Sequence, residues 1–367
     1  MFLKNLSLVN FKSFDQADLE FSPKINCFVG KNGTGKTNLF DSIYYLSFCK
    51  SFCNPSDNQN IKHDNDFFVI QGEFSISGKC ENIYCGQKHN QKKQFKRNKK
   101  EYKKLAEHIG LIPLVLISPA DRNLIIGGSD ERRKFIDGVI SQYDRKYLDD
   151  LLNYNKALSQ RNHLLKDFAR FGNFSYESVE IWDDQLVNYG NRIFKKRNKF
   201  LEELLPIFSK YFEFISSKNE IVELEYQSHL HKNSLRELLT ESIEKDRILQ
   251  YTSKGIHKDE LLLQLGNFPI KRIGSQGQQK TFLIALKLAQ FDFIKNLNEI
   301  TPILLFDDIF DKLDSDRVKQ IVKLVADNHF KQIFFTDTSG ERIERILKEV
   351  GGENKIFHID KQGVRLG

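Results

Sequence analysis

The spacing of hydrophobic and polar positions changes several times along this chain, and the changes divide it into three parts. Residues 2–11 (FLKNLSLVNF) alternate apolar and polar, the period-two pattern of a strand with one buried face. A short strand is expected near 18–21, ended by Pro23. Residues 24–29 run into an apolar strand end, and after a glycine-rich stretch the spacing from Thr37 to Leu46 becomes helical. Residues 51–66, rich in Asn, Asp and Ser, read as a loop. Residues 67–76 and 82–85 form a hairpin turned at Ser77-Gly78, and 114–118 is a buried strand.

From Asp130 the period is that of helices. Leu148, Leu151, Leu152, Leu158, Leu164 and Leu165 recur within 133–168, and Trp182, Leu186, Tyr189, Ile193 and Phe194 form a stripe within 177–212. Two long helices packed on each other account for these stripes. A strand at 221–226 and a helical stretch at 235–248 follow. After Tyr251 strands and helices alternate again. There is a hairpin over 261–270, a long helix over 278–296 and an apolar strand at 303–306. Helix 315–326, strand 332–335, helix 341–349 and strand 355–359 complete the set. The pattern predicts an α/β fold in which a mainly helical insertion, 131–250, interrupts a domain made of 1–130 and 251–367.

Composition adds limits. Of 367 residues 29% are charged and 40% hydrophobic, as in ordinary globular proteins. No apolar run reaches the ~18 residues a membrane span needs, and the N-terminus lacks a signal-peptide core, so a cytoplasmic protein with no membrane partner is expected. Five cysteines, Cys27, Cys49, Cys53, Cys80 and Cys85, make an odd count that argues against a disulfide framework. The net charge of +7 permits attraction to nucleic acid. Between Lys88 and Lys104 nine Lys/Arg residues face one acid, Glu101. A phosphate-contacting surface fits this stretch, and so does a solvated edge hairpin protected by lysines. On the first reading, replacing Lys92, Lys93, Lys96 and Arg97 with Ala lowers DNA affinity and its salt dependence.

The candidate chemistry lies in three stretches. Gly30-Lys31-Asn32-Gly33-Thr34-Gly35-Lys36-Thr37 fits G-x-x-x-x-G-K-[ST], the phosphate-binding P-loop, between an apolar strand and a helix. Its glycines let backbone N–H groups curl around the phosphates of ATP. Lys36 is expected to reach the β- and γ-phosphates, and the Thr37 hydroxyl to bind Mg²⁺. The helix that follows adds the positive end of its dipole. The second stretch, Ile303 to Asp308 (ILLFDD), is four apolar residues ending in two carboxylates. Asp307 is expected to hold the metal, and Asp308 to orient or deprotonate the attacking water. The third is Ser275-Gln276-Gly277-Gln278, about 30 residues earlier, at the start of the long helix. It resembles the Ser-Gly-Gly-Gln signature loop of ABC-type ATPases, with Gln276 in place of a glycine. Asp311 to Asp314 (DKLD) resembles the D-loop of that class.

That resemblance implies a homodimer in which Ser275, Gln276 and Gly277 of one copy complete the ATP site of the other. Where the class carries a switch histidine this chain reads Thr336-Asp337-Thr338, and Asp308 replaces the usual glutamate. A shorter carboxylate reaches water less well, so slow turnover suited to a switch is expected.

The whole chain resembles the RecF family. The resemblance rests on Leu8 to Phe14 (LVNFKSF), the P-loop, Ser118 to Asp121 (SPAD), Gly128 to Phe135 (GSDERRKF), Gly255 to Leu261 (GIHKDEL), Ser275 to Gln278 (SQGQ) and Phe306 to Asp314 (FDDIFDKLD), in the family's order. It implies an ABC-type P-loop ATPase head with the inserted helical domain, and an ATP-dependent dimer that binds DNA at gapped duplex and single-strand/double-strand junctions. It also implies action with RecR and RecO in loading RecA, a slow DNA-stimulated ATPase, and association with the nucleoid. It places Lys12 beside the nucleotide, with a solvated strand end as the other reading. His257 and Asp259 fall in a shared stretch without a legible chemistry, and such a pair is more often structural. The alternative function is another SMC/Rad50-like or ABC-type ATPase acting as a DNA clamp. A transporter ATPase fits poorly with the insertion and the missing histidine.

Overall fold

In the computed structural model, which describes residues 1–367 apart from 217–219, 298–299, 311–314, 327–329 and 361–362, the N-terminal alternation forms strand β1 (Phe2–Phe11). Leu3, Leu6 and Leu8 are all buried, although Leu3 and Leu6 stand an odd number of positions apart. A shift of register between Leu3 and Asn5 against a neighbouring strand explains this: the bulge turns Leu3 to the same face. The chain continues through β2 (Phe14–Glu20), β3 (Ile25–Val29) and helix α1 (Lys36–Phe48). Then come β4 (Phe67–Ile76), β5 (Lys79–Lys88), β6 (Gln94–Arg97), β7 (Lys100–Glu101) and β8 (Leu114–Ile117).

The helical part holds α2 (Arg122–Ile126), α3 (Ser129–Ile140), α4 (Arg145–Phe171) and α5 (Tyr176–Ser216). It goes on through β9 (Val222–Gln227), α6 (Leu235–Glu241), α7 (Ile243–Leu249), β10 (Glu260–Leu265), β11 (Phe268–Pro269) and α8 (Ile270–Ile273). The last part is α9 (Gln276–Leu297), β12 (Ile303–Phe306), α10 (Ser315–Ala326), β13 (Ile333–Asp337), α11 (Gly340–Val350), β14 (Asn354–Asp360) and β15 (Gly363–Leu366). Among the described residues no helix is long and apolar enough to cross a membrane.

Two compact units result. One is Met1–Asp121, Tyr211–Lys218 and Gln276–Gly367; the other is Arg122–Lys210 and Asn219–Ser275. These bounds differ from the 130/131 and 250/251 drawn on sequence. The reason on the C-terminal side is pairing: β10 runs antiparallel to β9 from Glu260↔Gln227 to Leu265↔Val222, so the 260–270 hairpin joins the helical unit. The stretch read as one helical run over 133–168 is two helices. Asp144 ends the break by accepting the Tyr147 N–H at 2.9 Å, an N-cap.

In the first unit two six-stranded sheets share a core. One is antiparallel, in the order β2-β1-β4-β5-β6-β7; the other, β15-β14-β3-β13-β12-β8, is parallel except for β15. Helix α1 contacts β1, β4 and β5 of one sheet and β8 of the other. Its Leu39, Phe40, Ile43, Tyr45 and Leu46 are wholly buried. Phe21, Phe28, Phe334 and Phe357 pack ring against ring beneath the parallel sheet. Each such side chain contributes about 1.5–3 kcal/mol by leaving water. All five residues of β3 are buried, as a central parallel strand requires.

In the second unit, charged side chains are buried along with the apolar stripe. Arg161, fully buried, donates to Asp183 at 2.6 Å and to Asp246 at 2.7 Å. Arg197 reaches Asp137 at 3.0 Å and Asp259 at 3.0 Å. Two shared stretches of the sequence meet here. Arg132 of GSDERRKF grips Glu260 with two bonds of 2.6 and 2.7 Å, and Arg133 donates to the Asp259 carbonyl at 2.6 Å.

Candidate functional site

In a parallel sheet the strand ends on one side carry the binding loops. Here the carboxyl ends of the neighbouring strands β3, β13 and β12 each contribute one part. Past Val29 the chain turns through Gly30 to Gly35, with φ of 80° at Gly33 and 106° at Gly35. A Cβ at Gly35 would also fall 2.7 Å from Ser13 Oγ, so glycine is required there twice over. The Thr34 hydroxyl closes the loop on the Lys31 carbonyl at 2.9 Å. Lys31, Asn32 and Gly33 are exposed.

Lys36 opens α1, and its ammonium donates to the carbonyls of Gly30 at 2.6 Å and Lys31 at 3.1 Å. The cation thus lies inside the loop. One residue on, the Thr37 hydroxyl is 3.0 Å from Asp307 Oδ2 at the tip of β12. A hydroxyl and a carboxylate in contact beside a lysine are hard oxygen donors of the kind Mg²⁺ takes while keeping several waters. The residues therefore fit the expected metal. Burial pushes the Asp307 carboxyl above the ordinary value, while hydrogen bonds from Thr336 and Thr37 oppose the shift.

Asp307 is tied on two further sides. Its N–H donates to the Ile117 carbonyl of β8 at 2.8 Å, and its Oδ1 accepts the Thr336 hydroxyl of β13 at 2.7 Å. Asp308 follows with φ of 46°, and its N–H donates to Thr336 Oγ1 at 2.9 Å. Sequence reasoning noted 336–338 only for a histidine it lacks; the structure puts Thr336 in contact with both aspartates.

Asp41 was missed altogether. It lies one turn beyond Thr37 and is fully buried. It accepts the Ser51 hydroxyl at 2.6 Å and the Phe52 N–H at 2.8 Å, and pairs with the Lys12 ammonium at 2.5 Å. The Lys12 side chain is 8% exposed, so it is no solvated strand end. The available signal was an aspartate four positions past Thr37, set among Leu39, Phe40 and Ile43.

Ser275, Gln276 and Gly277 stand at the start of α9, with Ser275 and Gln276 exposed, and not on the strand ends that carry Lys36, Thr37 and Asp307. The DKLD stretch, Asp311 to Asp314, lies outside the described residues.

Two other stretches of the sequence find their places. Lys93 and Arg97 in the basic stretch are engaged internally. The Lys93 ammonium donates to Asp57 at 2.8 Å, Tyr45 Oη at 2.9 Å and the Cys49 carbonyl at 2.6 Å, and Arg97 grips Glu81 with bonds of 2.8 and 2.7 Å. Lys88, Lys92, Lys99, Lys100, Lys103 and Lys104 are exposed. His257 and Asp259 belong to the buried network. His257 Nε2 donates to the Thr252 carbonyl at 2.9 Å, which leaves Nδ1 to accept the Tyr154 hydroxyl at 2.8 Å. Burial lowers the imidazole to about 4. Asp259 accepts Arg197 and the Tyr226 hydroxyl.

Comparison with known proteins bears on the family and the fold. The family model for the RecF/RecN/SMC N terminal domain matches residues 2–352. A curated relative from Phocaeicola vulgatus, DNA replication and repair protein RecF, is 56% identical over 98% of this chain and 97% of its own. The protein of the same name from Flavobacterium johnsoniae is 53% identical over 98% of this chain and 100% of its own. A solved structure of the recombination mediator protein RecF-ATP in the RecFOR pathway superposes with a TM-score of 0.90 at 31% identity. It covers 100% of this chain and 97% of that one. An Smc head domain from Pyrococcus furiosus shares the fold, with a TM-score of 0.58 at 16% identity over 100% of this chain and 96% of that one.

Proposed function

The chain belongs to the RecF family, and from that membership we propose that it is an ATP-dependent DNA-binding mediator of recombination in DNA repair and replication-fork maintenance. The observation that carries the reading is the meeting of Thr37 Oγ1 and Asp307 Oδ2 at 3.0 Å beneath the glycine loop that holds Lys36. ATP places its phosphates where the backbone N–H groups of 30–36 converge, and Lys36 exchanges its two carbonyl partners for β- and γ-phosphate oxygens. Thr37 and Asp307 would hold Mg²⁺, which when bound supplies charge neutralisation at those oxygens. Asp308 orients or deprotonates the attacking water. With an aspartate in this role and no histidine at 336–338, hydrolysis is slow and acts as a switch, and membership of the family adds its stimulation by DNA.

Exposed Ser275 and Gln276, with Gly277, complete the site of a second copy, so two ATP molecules are held between two chains. The ATP-bound dimer binds gapped duplex and single-strand/double-strand junctions, and acts with RecO and RecR to help load RecA. Cytoplasmic, nucleoid-associated placement follows from this role.

Fluorescence anisotropy on a gapped duplex tests the reading. ATP is expected to raise the affinity of the wild type, and Lys36→Met to abolish that gain. Equal affinity with and without ATP would contradict it.

A further inference from the structure

Thr336 is fully buried on β13, between β3 and β12 in the parallel sheet. Its neighbour Phe335 fixes it there. That ring stacks on Phe306 of β12, with centroids 5.1 Å apart and planes 6° apart, and on Phe310 at 5.8 Å. The strand tip that carries Thr336 is therefore held against the strand that ends in the two aspartates.

A hydroxyl has one proton and two lone pairs. An ionised carboxylate can only accept, so the Thr336 proton points to Asp307 Oδ1 at 2.7 Å. The oxygen then accepts the Asp308 N–H at 2.9 Å. One hydroxyl binds the side chain of the first aspartate and the backbone of the second. The first bond holds Oδ1 of Asp307 and turns the carboxylate so that the Thr37 hydroxyl lies nearer Oδ2, at 3.0 Å, than Oδ1, at 3.3 Å. The second pins the backbone at Asp308, whose φ of 46° lies in the left-handed region that is uncommon for residues other than glycine and that aspartate tolerates better than most.

We infer that Thr336 is a positioning residue for ATP hydrolysis, a clasp that sets the relative placement of Asp307 and Asp308. The inference rests on the ATP-site reading above. The strand end where the wider ATPase class carries a histidine serves here to hold the two acids. Loss of the hydroxyl frees Asp307 to rotate and leaves the Asp308 N–H without this partner, so both the oxygen set facing Thr37 and the direction of the Asp308 carboxylate change. The glycine loop and Lys36 are untouched, and nucleotide binding without metal stays as it was.

The test compares Thr336→Val, which keeps the shape, with Thr336→Ser, which keeps the hydroxyl, and Thr336→Cys, whose thiol is a poor donor. Four readouts are taken: melting temperature, affinity for a fluorescent ATP analogue without Mg²⁺, the Mg²⁺ concentration needed for half-maximal tight binding, and kcat with KM. Val and Cys are expected to leave metal-free affinity within about twofold, to raise the Mg²⁺ requirement, and to lower kcat about tenfold or more at little-changed KM. Ser is expected to restore both within about threefold. A Val variant with wild-type Mg²⁺ requirement and kcat overturns the inference, as does a Ser variant no better than Val. Should Val be too unstable to assay, Cys decides by the same criteria. If wild type itself neither binds nor hydrolyses ATP, the site reading has failed, which is a different outcome from a Thr336 variant that behaves as wild type.

Discussion

At the scale of single residues, the P-loop was legible because its chemistry is carried by backbone geometry at fixed spacing. Gly33 and Gly35 adopt φ values only glycine tolerates freely, and Lys36 follows at once. Asp307 was legible for a related reason: four apolar residues ending in acids describe a buried strand and its tip. The pairings of Thr336 and Asp41 were not. Their partners lie 29 positions away in one case and 10 to 29 in the other, and no local pattern announces such pairings. The Asp308 role predicts that Asp308→Asn slows phosphate release about 10²-fold or more in a single-turnover assay while ATP still binds. An unchanged rate would mean that another group handles the water.

At the scale of elements, the helical unit is held by charges that hydrophobic periodicity cannot register. The long stripes of α4 and α5 were visible, but nothing in that pattern marks Arg161 and Arg197 as buried. Removing one member of a buried ionic network strands its partners, so Arg197→Met is predicted to cost about 3–5 kcal/mol in urea unfolding. Lys134→Ala, at an exposed helical pair, should cost under about 0.5 kcal/mol. Two buried histidines give a pH signature. His108, against the Leu46 carbonyl at 2.6 Å, and His257 are each lowered by burial from 6.5 to about 4. Their unfolded forms protonate first as the pH falls. The stability they carry is thus complete above pH 6.5 and lost progressively toward pH 4. In a histidine NMR titration both rings should stay neutral down to about pH 5. Either one titrating near 6.5 would contradict the burial argument.

At the scale of the whole molecule, the alternation of strand and helix gave the α/β class and the inserted helical region, while the unit boundaries depended on strand pairing that the pattern leaves open. The basic stretch shows the same limit. Nine cations in sequence became six exposed lysines once Lys93 and Arg97 found internal partners and Lys96 came to lie over the Tyr84 ring. If DNA lies along this edge, Lys99, Lys100, Lys103 and Lys104 changed together to Ala should weaken binding. The slope of log affinity against log salt should fall by about 0.9 for each phosphate no longer neutralised. Lys93→Ala should instead lower the melting temperature. An unchanged salt slope in the fourfold variant would leave the lysines as guards of a sheet edge.

An ATP shared by Lys36 of one copy and Ser275 of another would make dimerisation depend on the nucleotide. Light scattering with and without ATP tests it most directly, on wild type, Lys36→Met, Ser275→Arg and an equal mixture of the two variants. Wild type is expected to form an ATP-dependent dimer, each variant alone to stay monomeric, and the mixture to dimerise in part, because one intact site can form between unlike chains. A wild type that stays monomeric with ATP, or a Ser275→Arg variant that dimerises as well as wild type, would contradict it.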